Sequence, residues 1–554
     1  MPEAAGRPAR LRIAGGEVYD PANGVDGAVG DVLVEDGRVV AELSGPPEQT
    51  IDAKGCVVMA GAVDIHSHIA GPGVNVSRVL RPEDHRHRGV PATAATRAGV
   101  GHTVPSTFTT GYRYARMGYT TVMEAAVAPI GARHAHEELA DTPIIDKAIY
   151  LLLGSNEFLL SAMQAGDQAR VRDYLAWLLT SMRGFAAKLV NPGGVENWKS
   201  GHDVSGLDGP VDYFGVTPRQ ILRSLAAAAD ELRLPHPIHL HCNALGAPGN
   251  AAVTLETLRT LEGRRAHLAH VQFHAYGGKD WAGFGSEAPA LAKAISAQPG
   301  ITCDVGQVVF GDATTLTADG PWQYRLHRLT SQKWYNMDVE VETGCGIVPY
   351  VYREKNYVNA MQWAIGLELF LLIDDPWKVF LSTDHPNGAP FMMYPHVVRL
   401  LTDRAFREAM LRRVHRKVLR TAHLPHIARE YTLSEIAVIT RAGPARALGL
   451  ARKGHLGPGA DADVVVYPKR LDDAEWMFDH PVYVLKDGQV VVREGEVLAA
   501  PLGRTLTVQL PWPQALLPVI RDYFEKYYTV QFDNYTHVDP QDVGRPEVVP
   551  LASA

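Results

Sequence analysis

The sequence predicts an α/β protein, a (β/α)8 barrel carrying a small β-sandwich domain made from both chain ends. Along the middle of the chain, short apolar runs alternate with longer helical patterns, as repeated βα units with buried parallel strands require. Short β-type runs broken by turns fill residues 11–60 and return near the C-terminus. With 554 residues and 46% hydrophobic content, the chain has enough apolar surface for one large domain and a smaller one.

The elements follow in order. Leu11-Arg12-Ile13, Val32-Leu33-Val34, Val39-Val40 and Val57-Val58-Met59, punctuated by Gly15-Gly16, Asp36-Gly37 and Lys54-Gly55, read as half a sandwich over residues 1–60. Eight candidate barrel strands occupy 61–430: Ala62–His66, Thr120–Glu124, Ala148–Leu153, Phe185–Val190, Pro237–His241, Ala266–His270, Ile301–Val305 and Val379–Ser382. Arg219–Leu232 and Val358–Leu372 show the i, i+3, i+4 apolar spacing of the helices between them. The gap of about 306–377 is too long for one loop and helix, which predicts an insertion that walls or lids the site. Residues 431–505 close the barrel and return the second half of the sandwich, with Val464-Val465-Val466, Val482–Leu485 and Gln489–Val492 as strands. The tail, 506–554, carries the aromatic run Tyr523-Phe524-Glu525-Lys526-Tyr527-Tyr528, which offers either a contact with a partner chain or packing on its own barrel.

Composition narrows the function. A net charge of −7 without a basic block disfavours nucleic-acid binding. Four scattered cysteines, with no CxxC pair, read as reduced residues of a cytoplasmic protein and build neither a disulfide framework nor an iron–sulfur cluster. The apolar runs are too short and interrupted to span a bilayer, and no apolar stretch at the N-terminus reads as a signal sequence.

Chemistry concentrates at the ends of strands, where such barrels place their catalytic groups. His66 and His68 close the first strand at i and i+2, so both imidazoles face one way, about 6.6 to 6.8 Å apart along the chain. Lys188 interrupts the apolar fourth strand, His241 ends the fifth, His270 ends the sixth and Asp384 follows the eighth. His239 could replace His241, and His267 or His274 could replace His270, if the register slips. A buried lysine is pushed toward its neutral amine, which can add CO2 to give a carbamate able to bridge two cations. Zinc accepts this nitrogen and oxygen set, as would Mn, Fe or Co. Asp64 reads as a supporting carboxylate and His85-Arg86-His87-Arg88 as a solvated loop; Asn191, Tyr112 and Arg113 are candidate substrate contacts.

This arrangement resembles the amidohydrolase superfamily, and within it the alpha-subunit family of formylmethanofuran dehydrogenases and bacterial formyltransferase/hydrolase complexes. The resemblance runs over nearly the whole chain and is carried by Lys188–Gly194, Pro237–Asn243, His270–Gly278, Asp304–Asp312 and Arg441–Leu450. It implies two zinc ions held by His66, His68, carboxylated Lys188, His241, His270 and Asp384, with Asp384 as general base. It also implies a hetero-oligomer with B, C and D subunits, D being the formyltransferase, and hydrolysis of an N-formylated furan carrier to formate in one-carbon metabolism. An Ala/Arg/Gly/Pro-rich composition favours the bacterial, methylotrophic version over the archaeal dehydrogenase. Hydantoinase-like relatives carry a tyrosine shortly after the lysine where Gly193 stands here, which disfavours a cyclic-amide substrate. A non-catalytic scaffold is the remaining alternative, and the complete ligand set argues against it.

Overall fold

A computed structural model of the chain describes residues 7–204, 206–337, 345–535 and 538–553. Residues 1–6 of the predicted half-sandwich, 338–344 of the predicted insertion, and 536, 537 and 554 of the tail lie outside the described residues, as does 205. Eight parallel strands position the site: Ala62–Ser67 (β1), Tyr119–Val127 (β2), Asp146–Leu152 (β3), Ala186–Val190 (β4), Ile238–His241 (β5), Ala266–Leu268 (β6), Ile301–Asp304 (β7) and Val379–Phe380 (β8). Each pairs with the next in parallel, and a parallel bridge between Ser67 and His385 brings the eighth back to the first. Helices cover the barrel, so every residue of β1, β3, β4, β5 and β6 is buried; this is why these strands read as continuous apolar runs.

The sixth and eighth strands each end two residues earlier than the sequence implies. β6 stops at Leu268 because His270 adopts a left-handed φ of 36°, and β8 stops at Phe380 ahead of Asp384, whose φ is 50°. The helix Pro218–Glu231 starts on a Thr217/Gln220 capping box and turns Ile221, Leu222 and Leu225 inward. Tyr357–Leu372 is apolar on almost every side and buried throughout most of its length. It is the ordinary crossover helix between β7 and β8. The inserted structure is therefore shorter than 306–377: an antiparallel pair, Gly311–Thr317 with Gly346–Tyr352, and the helix Gly320–Thr330 capped by Asp319.

The chain ends build a nine-stranded sheet. Its seam pairs Cys56–Ala60 antiparallel with Val464–Pro468, and Leu11, Ile13, Val34, Val58, Val464 and Val466 fill its core. Cys56–Ala60 passes through Gly61 directly into β1, so this domain attaches at the N-terminal ends of the barrel strands, opposite the candidate ligands. A Cβ on Gly61 would lie 2.2 Å from Thr120 Oγ1, which explains the glycine.

A buried ionic cluster locks the domain to the barrel. Lys453 Nζ lies 2.5 Å from Asp146, 2.9 Å from Asp461 and 2.7 Å from Asp463, and Lys486 Nζ lies 2.9 Å from Asp146 and 3.0 Å from Asp463. Lys453→Ala would leave Asp146, Asp461 and Asp463 buried with one cation fewer among them and is expected to destabilise the fold by about 3–5 kcal/mol in a denaturant titration. Burial would raise Asp463, but Lys453 and Lys486 outweigh it and hold the carboxyl at about 2, below the ordinary 3.8. A carboxyl lowered on folding binds protons more readily when unfolded, so its contribution is complete above the ordinary value and fades as pH falls toward 2. Acid titration of the midpoint of unfolding is expected to show that loss in wild type and to show less of it in Asp463→Asn.

The tail folds onto the molecule itself. Thr505–Thr507 pairs with the start of β3 and with Pro546–Val548, while the helix Leu516–Tyr527 buries Ile520 and Phe524. Phe524 meets Tyr535 at a ring distance of 4.6 Å, and Trp177 of the helix Gln168–Ser181 stacks on Phe532 at 6.0 Å. Phe524 of the aromatic run is buried in this packing, whereas Tyr527 is 57% exposed.

Candidate metal centre

β1 ends with His66 and His68 at the barrel mouth, 0% and 6% exposed. His66 Nε2 lies 3.1 Å and His68 Nε2 lies 3.2 Å from the same atom, Asp384 Oδ1. Asp384 is fixed from both sides, since its N–H donates to Ser382 Oγ at 2.7 Å and Asn387 Nδ2 donates to its Oδ1 at 3.0 Å. Lys188, in β4, is 1% exposed and its Nζ has no hydrogen-bond partner among the described residues. His241 closes β5 and His270 follows β6, their rings 4.7 Å apart and nearly perpendicular; His270 is also 5.3 Å from the ring of His66. Gly306, beyond β7, makes this approach possible: a Cβ there would lie 2.4 Å from His270 Cβ. The structure thus gathers all six residues that the sequence nominated.

The electrostatics divide the site in two. Burial, with Lys188 adding to it at His241, drives the His241 and His270 pKa values well below normal, so both imidazoles are neutral at pH 7 and keep a lone pair. Burial likewise lowers Lys188 to about 8. On the other side, burial would lower His68, but Asp384 and Glu124 outweigh it and lift it to about 9; His66 and His68 hold Asp384 at about 2 against the raising effect of its own burial. Neutral imidazoles, an ionised carboxylate and an orphaned buried amine form a donor set that fits divalent zinc-type cations.

A supporting layer surrounds these groups, and the sequence singled out little of it. Asp304 accepts from His66 Nδ1 at 2.9 Å, from His267 Nε2 at 3.2 Å and from the N–H of His270 at 2.8 Å. Glu124 accepts from His68 Nδ1 at 3.3 Å and from the N–H of Ala70 at 2.8 Å. Asp304 closes β7 and Glu124 lies within β2, three residues from its end, so each is a carboxylate in an otherwise apolar strand, a signal of the same kind as the histidines. Asp319, from the insertion, reaches His241 Nε2 at 3.3 Å, and nothing in its local sequence announces this. Asp64 has the supporting role expected of it, accepting from Tyr114 Oη at 2.8 Å and Tyr394 Oη at 2.6 Å. His239 and His267 lie beneath the site: His239 Nε2 is 3.0 Å from His66 Nδ1, and His267 Nδ1 is 2.8 Å from Thr302 Oγ1.

The three candidate substrate contacts are not on the wall of the cavity over the site. The Asn191 amide donates to Asp203 at 3.0 Å and Asp319 at 3.2 Å and accepts from Asn243 at 2.8 Å, so its hydrogen-bonding capacity is spent on joining β4, β5 and the insertion. Tyr112 and Arg113 belong to the helix Thr107–Arg116, which runs back toward the start of β2 and away from the strand ends. The Tyr112 hydroxyl accepts from the N–H of Arg97 at 3.3 Å, and neither residue lines the cavity over the site. His85–Arg88 is exposed, as expected of a solvated segment.

Above the candidate ligands opens a cavity of about 220 Å³ with an apolar and aromatic wall that includes Phe273, Trp281, Trp322, Leu326, Tyr350 and Tyr352. Most of that wall comes from the insertion. Gly193, with φ 76°, leaves no room for a side chain, since a Cβ would lie 2.4 Å from Val211 Cγ2.

A closed parallel barrel with histidines, a lysine and an aspartate gathered at its C-terminal mouth defines a metal-dependent hydrolase architecture, and the chain belongs to the amidohydrolase family, whose model matches residues 49–492. Among its relatives, protein FwdA of Methanocaldococcus jannaschii is 46% identical over 94% of this chain and 96% of its own length. The A subunit of the formyltransferase/hydrolase complex Fhc of Methylorubrum extorquens is 41% identical over 97% of this chain and 99% of its own. The crystal structure of that organism's FhcABCD complex with methylofuran contains a chain that superposes with a TM-score of 0.92 at 41% identity, covering 98% of this chain and 100% of that one. Among the described residues, no helix is long and apolar enough to cross a membrane.

Proposed function

We propose that the chain hydrolyses the N-formyl group of a formylated furan-bearing carrier amine, releasing formate and the free amine, as the hydrolase component of a cytoplasmic formyltransferase/hydrolase complex. The observation that carries this reading is the complete donor set beneath an aromatic-walled cavity, in a chain of the same length and fold as the relative crystallised with methylofuran. His66, His68, Lys188 as its carbamate, His241, His270 and Asp384 would hold two zinc ions. Bound there, the cations would supply Lewis acidity toward the formyl oxygen and an activated water near neutral pH. Asp384, at the cavity floor, takes the proton of the attacking water and delivers it to the departing amine nitrogen. The apolar wall holds the flat carrier ring and excludes bulk water from the formyl group. The B and C subunits and a formyltransferase, the D subunit, would complete the assembly.

The higher identity to FwdA supports a second reading, in which the same site runs in reverse and condenses formate with the amine. None of the chain's four cysteines forms a cluster motif, so electron transfer would then belong to partner subunits. The proteins that co-purify distinguish the two: a formyltransferase favours hydrolysis, and a redox-cofactor protein favours condensation.

The test is formate release from N-formylfurfurylamine by the chain purified with its co-expressed partners. Formate is the expected product. Two metals per chain with ring opening of a dihydropyrimidine, and no formate, would replace this reading with a cyclic amidase; absence of both metal and activity would replace it with a scaffold. Within the same reading, Asp304→Asn is expected to weaken metal retention about 10–100-fold, because it removes the carboxylate that orients His66. Chelator titration followed by elemental analysis measures this.

A further inference from the structure

We infer that His274 is a metal ligand, supplying a third imidazole to the cation held by His241 and His270. The inference rests on the metal-centre reading above and adds a residue to it. His274 ends the short turn Val271–His274 that follows β6, and this turn brings its ring back against the site. The ring stacks on His270 at 5.3 Å with 24° between planes and meets His241 edge-on at 5.2 Å. One nitrogen from each of His241, His270 and His274 lies within 4.8 Å of the other two.

The side chain is 1% exposed, and neither ring nitrogen has a hydrogen-bond partner among the described residues. Buried polar groups are almost always paired, so a ring with both nitrogens unmet calls for a ligand that is not protein. The deeper histidines provide the contrast. His236 and His239 bond each other at 3.0 Å, and His267 bonds Asp304 and Thr302, so those imidazoles are tied into the protein and need nothing else. His274 is also absent from the cavity wall, which places it behind His241 and His270 rather than in the path of substrate.

The consequence is asymmetry between the two cation positions. Three imidazoles and one oxygen of the Lys188 carbamate complete a four-ligand set, the closed arrangement typical of firmly held zinc. His66, His68 and Asp384 provide a more open position beside the cavity. One metal would then be retained and the other exchangeable, and the nitrogen of His274 not used in binding would donate its N–H to a buried water.

Two measurements on the chain purified with its partners decide the matter. In a crystal structure with zinc located by anomalous scattering, a His274 nitrogen is expected about 2.0–2.1 Å from a metal. Timed release of zinc to EDTA, read by elemental analysis, is expected to show one fast and one slow metal in wild type. In His274→Asn and His274→Phe the slow metal should leave at least about tenfold faster, in line with the 10–100-fold effects of ligand-supporting residues. Circular dichroism confirms that the variants fold, and the crystallographic arm stands alone if they do not. Two bound zincs with His274 bonded only to water or protein would overturn the inference and leave the metal centre intact, as would unchanged release from folded variants. Wild-type protein that holds no metal would overturn both readings together.

Discussion

Lys188→Ala is expected to empty at least one of the two metal positions and to lower formate release by more than about 100-fold, beyond the range seen when only an outer partner of a metal ligand is lost. The reason is electrostatic. Among the described residues Lys188 Nζ has no hydrogen-bond partner, and the side chain is buried. An ammonium there would be costly, and burial brings its pKa down to about 8, so a substantial neutral fraction exists near pH 7 to 8. That neutral amine adds CO2, forming a C–N bond and releasing one proton, and a buried cation becomes an anion among the donors of six side chains. Alanine removes both the charge and the bridge. Metal content per chain and formate release, measured on the same preparation, test this; a short carboxylate such as acetate, added at high concentration, is expected to restore part of the metal to the variant. Lys188→Ala protein with two metals and full activity would remove carbamate chemistry from the site.

The barrel was legible because buried parallel strands leave a signal that survives without tertiary information: recurring apolar runs, several of them carrying within or just after them a residue too polar for its surroundings. His66, Lys188, His241 and Asp384 stand out by that contrast alone. Asp304 and Glu124 carry the same contrast, but a carboxylate in an apolar strand is less distinctive than an imidazole, and neither was singled out. Asp319 could not have been found this way. It meets His241 only because the insertion folds over the barrel mouth, a contact across 78 residues of sequence with no local pattern to mark it. Tyr112, Arg113 and Asn191 illustrate the converse: their residue types suit substrate binding, but helix direction and hydrogen bonds within the protein, which the sequence does not show, keep all three off the cavity wall. The tail shows the limit of composition, since an aromatic run is equally suited to a partner and to the chain's own surface: Phe524 packs against Tyr535 and Phe532, whereas Tyr527 is 57% exposed.

Asp384→Asn is expected to lower kcat about 10²–10⁴-fold, the range for loss of a positioned general acid–base group. The substitution preserves shape, and the contacts that hold the residue in place, from Asn387 to the side chain and from its own N–H to Ser382, have counterparts in the variant. It removes the negative charge facing His66 and His68, so metal on that side is expected to be held less tightly as well. Elemental analysis at saturating zinc separates the two effects: a variant reloaded with both metals that remains slow has lost the proton carrier. Before metal binds, His66 and His68 hold the carboxyl of Asp384 at about 2, so it is ionised at neutral pH and available to a cation. The amine leaving group explains why the residue matters: an expelled amide anion is far too basic, and a carboxylate that has just accepted water's proton is the group placed to return it to that nitrogen. Wild-type turnover in metal-loaded Asp384→Asn would assign the proton transfer to another residue.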